Sequence, residues 1–195
     1  MTPQIHLEFP HHWRAQVLTA PPLISPARQF VYPQQIAGEE DTLARGALQL
    51  LIRPENSAAE FLATCALGFD APTLPTGVWS CPAPDELCAL AGGYAYILKP
   101  AQPALCTHLP LRPVVSVHPL PNENLLVFAG FHSLLAWGVT GERWQTARLT
   151  WEGLRITEIS DGKIHGFGWH MPSDTERPFA VSLADGSHTG GAFTD

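Results

Sequence analysis

The clearest structural signal in this chain is a turn within residues 156–167, which read ITEISDGKIHGF. Asp161-Gly162 at its centre is a dipeptide that favours a two-residue hairpin turn, because both residues accept positive φ at low cost. Apolar residues flank the turn on either side, at Ile156, Ile159, Ile164 and Phe167. The segment therefore predicts two antiparallel strands, Leu154–Ile159 and Lys163–His170.

Similar short strands with tight connections extend on both sides of this hairpin. Gly92-Gly93 is a second turn of the two-residue kind. Apolar runs predict strands at Val78–Cys81, Leu87–Ala91, Tyr94–Leu98, Val114–His118, Leu125–Ala129, His132–Trp137, Thr146–Thr150 and Phe179–Leu183. No long helical pattern separates these strands, which argues against parallel β-α-β units and favours an antiparallel meander.

An apolar hexapeptide occurs twice in the chain, 38 residues apart. It reads LCALAG at residues 87–92 and LLVFAG at residues 125–130, and another step of 38 residues from Gly130 reaches Gly168. A period near 40 residues that contains several strands is typical of propeller blades. The sequence thus predicts an all-β fold with at most one short helix. This antiparallel meander would form a small propeller-like structure, an open barrel or a sandwich.

Two segments also carry a resemblance to a known family. Residues 135–144, LAWGVTGERW, resemble the outer-strand-to-turn segment of quinoprotein-type β-propeller repeats, and residues 179–186, FAVSLADG, are a looser copy. The resemblance covers about ten residues each time. It implies repeated antiparallel blades and says nothing about a cofactor; we predict none.

Residues 45–69 fit two different structures. Ser57-x-x-Glu60 before an apolar run, with Gly68 behind it, matches the capping box and the glycine stop of a helix. The alternative is a hairpin with strands Ala47–Arg53 and Glu60–Phe69, which would place alternate apolar residues on one face. The β-rich remainder of the chain favours the hairpin.

Prolines set the first part of the chain apart. Residues 1–44 contain six of them, and each proline removes a backbone donor and fixes φ, so this segment is expected to be irregular and to wrap around the domain. Short pieces such as Arg14–Thr19 and Gln29–Tyr32 are expected to pair at a sheet edge. A chain of 195 residues corresponds to about one domain, with residues 45–195 as its β-rich body.

Charge and hydropathy exclude several classes of partner. The net charge is −7 and there is no basic run, which argues against nucleic acid and against an anionic membrane surface. No apolar stretch approaches the roughly 18 residues of a membrane-spanning helix, and Met1–Phe9 do not resemble a secretory signal. We expect a soluble cytoplasmic protein.

The cysteines and serines provide no recognisable nucleophile. Four cysteines, at positions 65, 81, 88 and 106, form no C-x-x-C pair, and buried free thiols are expected. No Gly-x-Ser-x-Gly elbow is present, and Gly166-x-Gly168 is too short for a phosphate-binding loop. The sequence therefore favours a protein that is not an enzyme.

The nine histidines of the chain are the candidate metal ligands. His11 and His12 are adjacent, so in a strand they would point to opposite faces. His165 and His170 flank a glycine-rich segment and would also lie on opposite faces unless a bulge realigned them. No metal is predicted, and His165 with His170 is the pair that would bind one if a site existed.

Aromatic residues concentrate in the last third of the chain, where most of them are expected to be core. Trp169-His170 stands beside the polar loop 171–178, which has a proline near each end. A tryptophan at such a loop can provide a platform for a sugar ring or a peptide. The predicted binding residues are Trp169, His170, Asp174 and Arg177, with His132 and Trp137 as additional candidates.

Three hypotheses about function follow from these residues. The leading one is a β-domain that binds a protein partner or a small ligand through loops at one end, without catalysis. The alternatives are a metal- or carboxylate-dependent hydrolase that uses His165, His170 and a nearby acid, and a structural component whose strand edges pair with copies of itself.

Overall fold

The computed structural model describes residues 3–20, 22–24, 26–33, 41, 43–55, 57 and 59–193. Across these residues the chain is all-β, as predicted, and its helical elements are two 3-10 helices of three residues each. The chain divides into two compact units, Met1–Pro113 and Val114–Asp195. A single domain over residues 1–195 stays a prediction. None of the helices in the described part of the chain is long and apolar enough to cross a membrane.

The first unit contains two sheets. Its strands are β1 Gln4–His6, β2 Trp13–Leu18, β3 Gln29–Tyr32, β4 Ala47–Pro54, β5 Phe61–Ala66, β6 Gly77–Ser80, β7 Leu87–Ala91, β8 Tyr94–Leu98 and β9 Cys106–His108. Sheet I has the order β2-β4-β5-β3, and sheet II has the order β1-β6-β7-β8-β9. The pairing of β4 with β5 is antiparallel, so these two strands form the predicted hairpin, and Phe61–Ala66 is a strand rather than part of a helix.

The second unit contains two further sheets, each of four antiparallel strands. Its strands are β10 Val114–Leu120, β11 Leu125–Gly130, β12 Leu134–Gly138, β13 Gly141–Gln145, β14 Leu154–Ser160, β15 Lys163–His170, β16 Thr175–Ser182 and β17 His188–Gly190. Sheet III has the order β10-β11-β12-β13, and sheet IV has the order β14-β15-β16-β17. The 3-10 helices Pro121–Glu123 and Met171–Ser173 connect β10 to β11 and β15 to β16.

The predicted repeat corresponds to these sheets. The hexapeptides at 87–92 and 125–130 coincide with β7 and β11. β7 is the second strand of the antiparallel run β6-β7-β8-β9, and β11 is the second strand of sheet III. Gly168 lies on β15, which is the second strand of sheet IV. The sheets are open along their edges, so none of them closes as a barrel.

The proline-rich segment is less irregular than expected, because three of its pieces are strands. β2 and β3 are the two edges of sheet I, as predicted. However, β3 pairs with β5 and β1 pairs with β6 in parallel, which departs from a purely antiparallel meander. Long connections separate these strands from their partners, so the chain can return in the same direction.

The predicted strand Thr146–Thr150 is wrong. β13 pairs with β12 instead and ends at Gln145, and the hydroxyl of the next residue, Thr146, accepts a hydrogen bond from the Leu134 amide. Thr150 donates its hydroxyl to the carbonyl of Trp169 at 2.9 Å. Both threonines thus use side-chain hydrogen bonds that compete with a ladder, which the β propensity of threonine does not reveal.

Apolar side chains of sheets I and II form one core in the first unit. Leu50, Ile52 and Phe61 of sheet I pack with Leu87 and Tyr96 of sheet II, and all five are buried. The Tyr96 hydroxyl donates to the Ala66 carbonyl at 2.9 Å, so its polar end is satisfied inside this core.

A second core lies between sheets III and IV. Val127 and Ala136 of sheet III pack with Ile164 and Phe179 of sheet IV. Trp144 of β13 is buried in the same core, and its indole N–H donates to the carbonyl of Leu183, just beyond β16, at 2.8 Å. This hydrogen bond joins the outer strand of sheet III to the end of a strand in sheet IV.

Removing the Trp144 donor should weaken the second unit. Trp144→Phe keeps an aromatic ring but leaves the Leu183 carbonyl without its indole partner, so we expect the free energy of unfolding to fall by about 1–2 kcal/mol. Chemical denaturation of the variant measures this difference. Trp151→Phe is the matched control, because the Trp151 indole makes no hydrogen bond with the described residues. Equal stability of the two variants would contradict the assignment.

Candidate binding site

The β15–β16 connection holds the central residues of the predicted site. The 3-10 helix Met171–Ser173 ends at Asp174, which has a φ of 48° and donates its amide to the Met171 carbonyl at 3.3 Å. Aspartate tolerates this left-handed conformation better than most residues. The ladder resumes at once, with Thr175 opposite His170 and Glu176 opposite Trp169. The connection is therefore short and fixed at both ends.

Trp169 and Asp174 form a pair on this connection. The indole N–H of half-buried Trp169 donates to Oδ1 of exposed Asp174 at 2.9 Å. Because the acceptor is charged, this hydrogen bond is of the stronger kind. It ties the ring to the loop and leaves one carboxylate oxygen for other partners.

His170 and Arg177 form a second pair on the other face of the same hairpin. In the register of β15 with β16, Arg177 lies opposite Gly168, two positions from His170. Partial desolvation, and then the positive charge of Arg177, lower the pKa of His170 below its ordinary value of 6.5. The Nδ1 atom of His170 shares a hydrogen bond of 2.6 Å with the Ser173 hydroxyl. The imidazole is therefore neutral at pH 7.

Backbone hydrogen bonds bring three other segments to this end of the second unit. The Leu149 amide donates to the carbonyl of His132 at 2.7 Å, and the Ala192 amide donates to the carbonyl of Leu149 at 2.7 Å. The Trp151 amide donates to the carbonyl of Trp169 at 3.1 Å. His132, predicted as an additional candidate, therefore lies at the same end as Trp169.

An arginine packed against two rings, which also contact each other, is the part of this site that sequence reasoning missed. The Arg148 guanidinium lies 4.5 Å from the centre of the Phe193 ring and 5.9 Å from that of Trp151. Its nitrogens donate to the carbonyls of Thr150 and Trp151. Arg148 and Trp151 are close in sequence, which is only a weak indication that they interact. No sequence pattern connects either of them to Phe193, which lies more than 40 positions further along the chain.

We call this end of the second unit, which carries Phe131, Trp151, Trp169, Met171 and Phe193, the aromatic end. Three of these side chains are large, apolar and well exposed: Phe131 at 40%, Met171 at 50% and Phe193 at 40%. Trp151 and Trp169 are half-buried. A concentration of exposed rings with a methionine and an arginine is typical of a protein-binding surface.

Trp137 lies elsewhere. It is only 6% exposed, and it stands near the end of β12, next to the turn that leads to β13 at Gly141. The β11–β12 turn, which carries His132, is at the other end of this strand. The structure therefore does not bring Trp137 together with the other predicted residues.

His165 and His170 are not brought together either. β15 pairs with β16 without a register shift between these two residues, so they lie on opposite faces, about 16 Å apart along the strand. One ion cannot bind both imidazoles at that separation. Within the described residues, no group of three or more His, Cys, Asp or Glu side chains is placed to hold a metal ion.

All four cysteines are free thiols in the first unit, and three of them are buried. Burial raises the pKa of the Cys65 and Cys81 thiols well above the ordinary value, and it raises the pKa of half-buried Cys106 to about 12. Thiols of this kind remain protonated at neutral pH and are poor nucleophiles.

The pairing of Trp169 with Asp174 can be tested without straining the backbone. Asp174→Gly removes the carboxylate while keeping a residue that accepts positive φ, so we expect the Trp169 indole N–H resonance to move and to exchange faster with water. Nitrogen-15 NMR measures both effects. Asp161→Gly is the matched control, since Asp161 has a φ of 50° in the turn at the other end of β15. An unchanged Trp169 resonance in Asp174→Gly would refute the pairing.

The influence of Arg177 on His170 is open to titration. Removing the positive charge in Arg177→Gln favours the imidazolium, so the pKa of His170 should rise towards 6.5. Imidazole resonances followed between pH 8 and pH 4 report this change. Arg155→Gln, which removes a cation paired with Glu176, serves as the control. A pKa that stays in place or falls in Arg177→Gln would show that the cation does not act on His170.

Comparison with known proteins identifies no family. No protein-family description matches the chain, and no curated protein matches it. Among solved structures, the crystal structure of the N-terminal domain of Nup159 is similar to 97% of this chain, with 12% sequence identity and a TM-score of 0.35. The match covers 53% of that chain, so the protein spans about half the length of that solved chain.

Proposed function

We propose that the protein is a non-catalytic binding protein that contacts a protein partner through the aromatic end. The observation that carries this proposal is the exposure of Phe131, Met171 and Phe193 at one end of the second unit. Apolar side chains of this size are common on protein surfaces one at a time, but several together usually mark an interaction site.

The composition of the aromatic end supports a protein as the partner. Aromatic rings, methionine and arginine are enriched at protein interfaces and provide most of the binding energy there. Arg148 is already held by two backbone carbonyls and two rings, so little side-chain entropy would be lost when a partner binds.

Polar groups surround the aromatic end and would determine which partner fits. Asp174 and Ser173 are exposed on the β15–β16 connection. Arg155 of β14 and Glu176 of β16 form an ion pair of 2.9 Å that crosses β15 above Phe167, whose ring centre lies 5.2 Å from the guanidinium. An exposed pair of this kind contributes little to stability, so it can exchange partners with a docking chain.

We infer that the sheets are blades of the kind found in quinoprotein-type β-propeller repeats. Residues 135–144 span β12 and β13, which are the third and fourth strands of sheet III. Residues 179–186 begin in β16, the third strand of sheet IV, and continue into the next turn. Both segments therefore have the same place in their sheets, which is what a repeat requires.

We also propose a cytoplasmic location. The four cysteines are free thiols, the form that a reducing compartment maintains. The acidic net charge of −7 is consistent with a freely dissolved protein.

Affinity capture with matched variants tests the binding function. The tagged chain is used as bait in an extract of its own source cells, and bound proteins are quantified by mass spectrometry. We expect a partner whose recovery falls at least tenfold in the double variant Phe131→Ser, Met171→Ser, and also when Trp169, His170, Asp174 and Arg177 are all replaced by alanine. The first variant removes apolar area that a bound partner would cover, and the second removes the Trp169 ring and the polar groups near it.

The control for this experiment changes two equally exposed apolar residues in the first unit. Leu7 is 47% exposed and Leu105 is 51% exposed, so Leu7→Ser with Leu105→Ser removes a similar surface elsewhere. Recovery of the partner should stay within twofold of the wild type. Capture of no protein, or equal loss in control and site variants, would overturn the proposal. Circular dichroism of each variant verifies the fold.

A further inference from the structure

An open cavity of about 400 Å³ lies in the second unit, at the end opposite to the aromatic end. Successive turns of a meander alternate between its two ends, which places the β12–β13 and β14–β15 turns here. The cavity is lined by residues from both sheets, among them Glu123, Val139, Arg143, Gly162 and Leu183. An adjoining cavity of about 230 Å³ shares Glu123, Gly162 and Leu183 with it. This volume is that of a small-molecule site.

A β-bulge determines the position of Arg143. Trp137 lies opposite Glu142 and Ala136 lies opposite Trp144, so Arg143 is the additional residue on β13. A bulge of this kind redirects a side chain out of the regular alternation, and bulges often occur next to binding sites. The next residue, Trp144, is buried in the core. The two adjacent side chains therefore have different environments, the ring in the core and the arginine at the cavity.

Gly138 provides the space for the Arg143 side chain. A Cβ atom at position 138 would lie 2.6 Å from Cγ and 3.0 Å from Cδ of Arg143, closer than such atoms can approach. The aliphatic part of Arg143 therefore lies directly on the backbone at the end of β12. Any larger residue at position 138 would move the arginine.

The opposite wall of the cavity is also fixed. The Leu183 carbonyl accepts the Trp144 indole N–H, and the Leu183 amide donates to the Gly162 carbonyl at 2.9 Å. Both residues line the cavity. The walls are therefore formed before any ligand arrives, which lowers the entropic cost of binding.

Arg143 is the cation among the residues that line the cavity, so it is the group that would hold an anion. Its guanidinium makes no hydrogen bond and no ion pair with the described residues, so its donors remain available. A planar guanidinium matches the two oxygens of a carboxylate or a phosphate. Glu123 also lines the cavity and would accept a hydrogen bond from a hydroxyl or ammonium group on the same molecule.

We propose that this cavity binds a small ligand that carries a carboxylate or phosphate group, with Arg143 as the residue that holds the anion. The site is separate from the aromatic end and does not depend on the function proposed for it. Apolar contacts with Leu125, Val139 and Leu183 would accommodate the remainder of the ligand.

Titration with simple anions tests the site. Inorganic phosphate and acetate are added separately to the nitrogen-15-labelled chain, while chloride keeps the ionic strength constant. We expect saturable shifts of the Gly138, Thr140 and Gly162 amides with at least one of the two anions. The anion that saturates at the lower concentration identifies the group that the ligand carries.

Three variants show whether Arg143 is responsible. Arg143→Gln should weaken binding at least tenfold, because the amide cannot replace a charged bidentate donor. Gly138→Ala should also weaken binding, although it leaves every charge in place, since it displaces Arg143. Arg14→Gln removes an equal charge from an exposed residue of β2 and should bind like the wild type. Shifts that never saturate, or an Arg143→Gln response equal to that of the wild type, would overturn the proposal.

Discussion

The close approach of Thr150 to β15 is the constraint on which the second unit depends. A Cβ atom at Gly168 would lie 2.7 Å from the Thr150 Cβ and 3.3 Å from the Leu149 carbonyl oxygen, so only glycine permits this contact. Thr150 then donates to the Trp169 carbonyl, and the chain continues into Trp151 directly beside the end of β15. Without that approach, Trp151 would not lie beside Trp169 at the end of β15, and the aromatic end would lose the segment that carries Arg148 and Trp151.

The two ends of the second unit therefore differ in chemistry although they belong to the same meander. One end has exposed rings and a stacked arginine, and its hydrogen bonds connect segments that are distant in sequence. The other has tight glycine-containing turns around a cavity with an arginine that stays unpaired among the described residues. An antiparallel sheet can separate two functions in this way. Its successive connections lie at opposite ends of the strands, and the connections at one end can vary independently of those at the other.

The strands could be predicted where a turn is encoded locally. Asp161-Gly162 and Gly92-Gly93 locate four strands correctly because two residues determine the turn. β9 and β17 were not predicted, because an edge strand of three residues is too short to show an alternation of apolar and polar residues. Trp169 and Asp174 could be grouped because they are only five positions apart in the sequence. Phe193 could not, because its contact with Arg148 depends on a backbone hydrogen bond from Ala192 to Leu149.

The parallel strand β1 has a consequence for synthesis of the chain. Gln4 pairs with Gly77, so β1 leaves the ribosome about 70 residues before its partner. At roughly 5–20 residues per second, this interval lasts several seconds, during which the strands of sheet I, β2 to β5, are made and can begin to pair. Closing so long a loop also costs more entropy than closing a hairpin. β1 therefore stays without its parallel partner until β6 has been made, whereas the strands of sheet I lie between the two in sequence and can pair before then.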